Sequence, residues 1–308
     1  VDKRWDVLGI GCAAVDDLLY VAGYPGPDAK TPVEHSERQC GGLTATALVA
    51  AARQGARCAF AGALGQDELS DFVLQTLNDE GIDTTPIARL ADNGPIHSTI
   101  IVDRTAQTRN IFFQRPPTIG AIAGSPTVEQ VQAARVLFVD HYGGEQTVRV
   151  QEVARKAGLP IVADLERDDA PFFREILAGC DHLILSRDFA THLTGKSSPA
   201  EAASALLVPK TQVVIITDGP CGSWSVTHDQ PKPTHHAVFA VETIDTTGCG
   251  DTFHGVYAAE LSRDTPLLER IRRASAAAAI KATSTGAQKG IPTRGKVDEF
   301  LAAQKIRV

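Results

Sequence analysis

The segment DTTGCGDTFHG at residues 245–255 sets a carboxylate directly behind two glycines, where an apolar helical stretch begins. Gly248 and Gly250 permit a tight turn and close approach of the backbone to a ligand, and the spacing predicts a helix from about Asp251. The N–H groups of residues 248–251 and the positive end of the helix dipole then form a cradle for a phosphate. A carboxylate on that turn, Asp251, would lie beside a transferring phosphoryl group and can take the proton of an attacking hydroxyl. Taken alone, Gly-x-Gly-Asp reads equally well as a glycine-rich turn with an Asp cap. Cys249 sits among the same N–H groups, where a thiol pKa is expected to fall, unless it is only a small inert filler.

Such a turn needs a scaffold. Four short apolar runs, at 136–139, 161–163, 183–185 and 213–216, are continuous rather than alternating, as in strands buried on both faces of a parallel sheet. Each ends on a polar residue: Asp140, Asp164, Ser186 and Thr217. Helical stretches such as 145–157 and 199–207 separate them, giving βαβ units whose ligands bind beyond the carboxyl ends of the strands. The first third differs. Segments at about 15–40 and 96–114 carry period-2 character, expected of antiparallel strands with one exposed face, and together can form a small sheet beside the main one. Between them, residues 67–81 form an amphipathic helix with Leu69, Phe72, Val73 and Leu77 on one face. No linker separates independent domains. A single α/β domain over 1–308 with an inserted lid is expected.

The chain has 308 residues, 43% hydrophobic and 22% charged, with a formal net charge of −7. That balance argues against nonspecific binding to nucleic acid or anionic membrane, both of which need a basic surface. No apolar run approaches the roughly 18 residues of a membrane helix, and the opening VDKRWDVLGIGC lacks a signal-peptide layout. Six scattered cysteines without a CxxC pair read as reduced thiols of a cytoplasmic protein, not as a disulfide framework or a zinc site.

Residues 245–255 closely resemble the C-terminal signature of the PfkB/ribokinase family, and the resemblance runs along essentially the whole chain. CGGLTATALVAAARQGA at 40–56 resembles that family's N-terminal signature, FAGALGQDELSDF at 60–72 its GxVGxDxxG run, and TDGPCG at 217–222 its TxGxxG nucleotide loop. Residues 273–292 resemble the segment that wraps adenine. The resemblance implies a three-layer α/β/α sandwich with a mostly parallel central sheet and a small β-sheet lid. It also implies an ATP-dependent carbohydrate kinase using Mg²⁺, with Asp251 as base and Gly248, Cys249 and Gly250 as anion hole. Asp16 matches the acid that holds sugar hydroxyls; otherwise it is a solvated edge-strand charge. Gly41, Gly42 and Thr46 match the substrate side, Lys30 a basic lid residue, and Arg109 a lid arginine or else a solvated strand charge. Ser186, Thr217, Gly219, Gly222 and Ser275 fall on the nucleotide side, and Asp245 and Thr247 where many members bind a monovalent cation such as K⁺. Asp17, one residue on from Asp16, belongs to the opposite strand face.

Departures from the pattern carry information too. Thr46 stands where the family often has Asn, and Ser186 and Phe189 replace its usual NxxE pair. Phenylalanine cannot order water around Mg²⁺, and the nearest substitute carboxylates are Asp164 and Glu166. The sulfofructose kinase branch is similar in this loss and in its C-terminal third. His141 and Phe113, however, stand where that branch has polar groups for a sulfonate. A nucleoside kinase shares these motifs and would stack a base on lid aromatics, for which Tyr20, Tyr24 and Phe113 are candidates. A regulatory sugar- or nucleotide-binding protein is the non-enzymatic alternative.

Three look-alikes fail on context. GIGCAA at 9–14 fits a dinucleotide fingerprint, but β character follows it where a helix is required. LTGKSS at 193–198 mimics the end of a P-loop but leads out of a helix. His235 and His236 read as a Pro-flanked surface loop. Because a small sheet exposes its edges, a homodimer with touching lids is expected.

Overall fold

The computed structural model describes residues 2–106 and 108–305. In chain order the first half contains β1 (Trp5–Ile10), β2 (Ala14–Val21), β3 (His35–Gly41), α1 (Leu43–Arg53), β4 (Cys58–Ala61), β5 (Ala63–Leu64), α2 (Glu68–Asp79), β6 (Ala88–Arg89), β7 (Ile96–Asp103) and β8 (Thr108–Gln114). There follow α3 (Val128–Gln132), β9 (Ala134–Asp140), α4 (Gly144–Lys156), β10 (Ile161–Asp164), α5 (Phe173–Ala178), β11 (His182–Ser186), α6 (Arg187–Thr194), α7 (Pro199–Leu206) and β12 (Val213–Thr217). The chain closes with β13 (Ser223–Thr227), β14 (Thr234–His236), α8 (Cys249–Leu261), α9 (Leu267–Ala282) and α10 (Arg294–Lys305).

Eight strands form the central sheet in the order β14-β13-β12-β11-β10-β9-β1-β4. The six from β4 to β12 are parallel, and β13 and β14 extend the edge antiparallel. The four continuous apolar runs are central strands, and their side chains alternate between two cores. Val136 and Phe138 of β9 enter one core, with residues of α1, α2, α8, α9 and α10. Leu137 and Val139 enter the other, with residues of α3 to α7. Burial on both faces removes any need for polar alternation, which is why these strands read as unbroken runs.

The lid is a separate sheet, ordered β3-β2-β7-β8. The structure corrects one expectation here. The β2–β3 and β7–β8 pairs are antiparallel, but β2 and β7 run parallel. Both leave the body from the same rim, where the amide of Ile96 donates to the carbonyl of Ala13 at 3.0 Å, so they set off in the same direction. A second correction concerns His235 and His236, which lie in β14 and not in a loop. His235 bonds the Cys221 carbonyl at 2.8 Å and His236 the Ser225 hydroxyl at 2.7 Å. All six cysteines are free. Among the described residues no helix is long and apolar enough to cross a membrane.

Candidate active site

The glycine turn ends in α8, which begins at Cys249, two residues earlier than the sequence reading. Gly248 caps it at φ 80°, and a Cβ there would stand 2.4 Å from the Ala287 carbonyl oxygen, so only glycine fits. The Cys249 amide is spent on the Thr246 carbonyl at 3.1 Å. The first-turn donors left without an intrahelical acceptor are therefore the amides of Gly250 and Asp251. A Cβ on Gly250 would meet nothing within 4 Å, so the face of the turn is open. Asp251 stands in the first helical turn beside that open face. The thiol expectation is corrected: burial pushes Cys249 above the ordinary range, against the pull of the Lys281 charge.

Asp251 shares its surroundings with carboxylates from the ends of β9 and β10. Burial, followed by the charges of Asp164, Glu166 and Asp140, raises its pKa well above the usual carboxylate range. Asp164 is raised in the same way by burial and then by Glu166 and Asp140. Glu166, although part of its surface is exposed, is also raised, because loss of water around its carboxyl outweighs the opposing pull of His254. His254, one turn along α8 from Asp251, bonds the Gly250 carbonyl through Nδ1 at 2.8 Å and the Ile184 carbonyl through Nε2 at 3.0 Å. Its Nδ1 also lies 3.4 Å from Asp164 Oδ2. Asp140 acts as a bolt. Its Oδ2 accepts from the Cys12 amide and the Thr44 hydroxyl, both at 2.7 Å, and its Oδ1 from the Tyr142 amide at 2.8 Å. Thr44 carried no signal in sequence, being one hydroxyl in an alanine-rich helix.

On one side of the turn lies a cavity of about 580 Å³ lined by Thr217, Gly219, Gly222, Cys249, Gly250 and Ser275. The assigned nucleotide-side residues therefore converge on one space, with the exception of Ser186. That residue pairs in register with Thr217 on the neighbouring strand and caps α6, its Oγ accepting from the Phe189 amide at 3.3 Å. Phe189 itself belongs to the core, edge-on to Phe173, so its position is apolar. The apolar residues Val238, Phe239 and Val241 also line the cavity. Their run was the missed signal.

On the other side stands the lid. The carboxylate of Asp16 occupies the space that a Cβ on Gly41 would take, 2.7 Å from its Oδ2. Register puts Asp16 opposite Gln39 and Ser98, and Ser98 opposite Phe113, so Asp16 and Arg109 share one lid face. Asp17 falls on the other face, tied to Arg38 at 2.7 Å and His97 at 2.8 Å. Burial raises the Asp16 carboxyl above its ordinary value. Arg109 reaches across the cleft, its Nη1 donating to Thr247 Oγ1 at 2.6 Å. Gly42 caps α1 at φ 93°. Thr46 is buried in the helix packing, and its hydroxyl accepts from Gln288 Nε2 at 3.2 Å, so it is turned away from the open face. Lys30 lies in the exposed loop between β2 and β3.

The expected monovalent-cation position is already engaged. Asp245 Oδ1 accepts from the Thr247 amide at 2.9 Å and Oδ2 from the Gly286 amide at 2.8 Å. The Asp245 carbonyl accepts from Lys281 Nζ at 2.9 Å. Burial pushes the Asp245 carboxyl up, but these bonds and the Lys281 charge bring it below the usual range. Among the described residues no group of three or more His, Cys, Asp or Glu could hold a metal ion. Asp164 and Glu166 lie together at and just beyond the carboxyl end of β10. A second cavity, of about 460 Å³, opens beyond β9 and is lined by Arg115, His141, Tyr142, Arg167 and Asp169 among others. His141 is buried there, with Nε2 unpartnered.

Comparison with known proteins bears on the family and the fold. The model of the pfkB family of carbohydrate kinases matches residues 7–294. Ribokinase of Haemophilus influenzae is 28% identical over 302 residues, covering 95% of this chain and 97% of its own. The crystal structure of a candidate ribokinase from Agrobacterium tumefaciens superposes with a TM-score of 0.88 at 28% identity, covering 99% of each chain. Arabidopsis thaliana ribokinase, solved with ribose and ATP, shares the fold at a TM-score of 0.83 and 20% identity, covering 97% of this chain and 99% of its own.

Proposed function

This chain belongs to the pfkB family of carbohydrate kinases, and on that premise we propose that it transfers the γ-phosphate of ATP to a hydroxyl of a sugar held under the lid. The observation that carries the reading is the position of Asp251. It follows Gly250, which lines the cavity of Thr217 and Ser275, on a turn whose preceding Thr247 accepts a hydrogen bond from Arg109 of the lid. ATP would lie in the cavity with its terminal phosphate at the amides of Gly250 and Asp251, and Asp16 would accept hydrogen bonds from sugar hydroxyls. Asp251 takes the proton of the attacking hydroxyl as the phosphoryl group arrives. Asp164 and Glu166 would order the water of a Mg²⁺ bound to the nucleotide, which would supply charge neutralisation at the phosphates.

The experiment is a coupled ATPase assay on a panel of pentoses, hexoses, ketoses, acidic and sulfonated sugars, and nucleosides. Turnover with nucleosides alone, or none with any compound, would overturn the reading. Two of the three lid aromatics have partners of their own, and Tyr24 is exposed. Tyr20 donates to Glu37 at 2.6 Å, and Phe113 lies beside the Arg115 guanidinium. One observation favours a sugar carrying an anionic group. Arg115, Arg167 and the unpartnered Nε2 of His141 line the second cavity, where Asp169 pairs with Arg167 at 2.6 Å and Arg115 is left without an ion-pair partner among the described residues. We also infer a cytoplasmic protein, since the reaction consumes ATP, and a homodimer joined through its lids.

A further inference from the structure

Lys281 is fully buried on α9, and no carboxylate lies within ion-pair distance of it among the described residues. Its ammonium instead meets backbone oxygens. Nζ donates to the Asp245 carbonyl at 2.9 Å and to the Ser284 carbonyl at 3.3 Å. These carbonyls belong to two different segments, the one entering the catalytic turn and the one leaving α9. The Asp245 carboxylate joins the same two segments through the amides of Thr247 and Gly286. The carbonyl of Ala287, beyond Gly286, is the atom that leaves room only for glycine at position 248. A positive charge gathering carbonyl oxygens from two loops, with a carboxylate beside it, is what a bound monovalent cation would provide here. In this chain a side chain provides it.

We propose that Lys281 is a built-in replacement for a monovalent cation. Its ammonium positions the turn from Asp245 to Asp251, and the protein works without K⁺. Lys281 is a positioning residue. It lines neither of the two cavities, and acts through the Asp245 carbonyl on the turn that carries the Gly250 and Asp251 amides. A buried unpaired charge is retained only where its hydrogen bonds compensate for lost water, and here the return is a fixed turn.

The test compares salts at constant ionic strength: potassium, sodium, ammonium and tetramethylammonium chlorides. The turnover arm rests on the kinase reading. The thermal arm needs no substrate, so the two can fail separately. For the unaltered protein, kcat and Tm should be the same in all four salts. Lys281→Ala removes the charge and opens space beside the two carbonyls. In tetramethylammonium it should melt lower and lose about 10²-fold in kcat, the scale of a slightly displaced catalytic group. K⁺ or NH₄⁺ should then restore both with saturation. Lys281→Met fills the space without charge and should stay impaired in every salt. Activation of the unaltered protein by K⁺ over tetramethylammonium, by about fivefold or more, would overturn the proposal. So would a folded Lys281→Ala that loses kcat and regains neither kcat nor Tm with any ion, or a Lys281→Met as active as the parent. Should Lys281→Ala fail to fold in every salt, the salt series on the unaltered protein and Lys281→Met decides.

Discussion

Arg109 Nη1 donates to Thr247 Oγ1 at 2.6 Å, joining the outermost lid strand to the segment that leads into the catalytic turn. The two residues are 138 positions apart, so the bond ties the lid to a distant part of the chain. Truncating either partner should loosen the lid over the sugar more than it alters the chemistry. Arg109→Ala and Thr247→Val should each raise the sugar KM by about 2–10-fold, the worth of one exposed hydrogen bond, with a smaller change in kcat. The double variant should be no worse than the poorer single one. Fully additive losses would mean that the two residues do not act together.

Asp251→Asn keeps the shape of the first turn of α8 and removes only the ability to accept a proton. Its kcat should fall by about 10²–10⁴-fold while nucleotide affinity, measured by titration calorimetry, stays near the parent value. Retention of more than about a tenth of kcat would show that another group is the base.

The carboxylates around Asp251 set a pH signature. Burial and then the charges of Asp164, Glu166 and Asp140 raise the Asp251 pKa, so the base stays protonated to higher pH than an ordinary carboxylate. The acid limb of kcat/KM should therefore lie above the usual carboxylate range, and Glu166→Gln, by removing one negative charge, should shift it to lower pH. Stability carries the same sign. A carboxyl whose folded pKa is raised binds more protons folded than unfolded, so its favourable contribution is complete below the unfolded pKa and is lost as pH rises through the folded one. Glu166→Gln should then raise Tm near pH 8 and change it less near pH 4. An unmoved acid limb in Glu166→Gln would break the link between these charges and the base.

What the sequence made legible follows from how far each feature reaches. The sheet and the glycine turn rest on contiguous residues, and Thr217, Gly219, Gly222, Gly250 and Ser275 line one cavity. Long-range partners were not readable. Thr46 looks like a substrate contact until Gln288, far along the chain, takes its hydroxyl. Lys281 is one lysine in an alanine-rich helix until Asp245 and Ser284 close on its ammonium. Asp245 and Thr247 sit at the expected cation position, but that position's electrostatics depend on this third, distant residue. The parallel β2–β7 pair was hidden for the same reason, since two segments of period-2 pattern do not state their relative direction.

The last prediction concerns assembly. β8 is an edge strand exposed along its whole length, with Ile111, Phe112 and Phe113 at 49%, 56% and 51% exposure. An open apolar edge of this kind invites pairing with another chain, and a second copy offers the same edge in a closed, self-complementary arrangement. Register puts Phe112 on the same lid face as Asp17, away from Asp16 and Arg109, so it can be changed without touching the sugar side. Light scattering at micromolar concentration should give twice the 32.7 kDa chain mass. Phe112→Asp places a charge in that contact and should shift the protein toward the monomer while circular dichroism stays unchanged. Lid strands that lose their partner should also close less well, so the monomeric variant should show a raised sugar KM with its kcat largely kept. A monomer for the unaltered chain, or a Phe112→Asp dimer as tight as the parent, would place the assembly surface elsewhere or remove it.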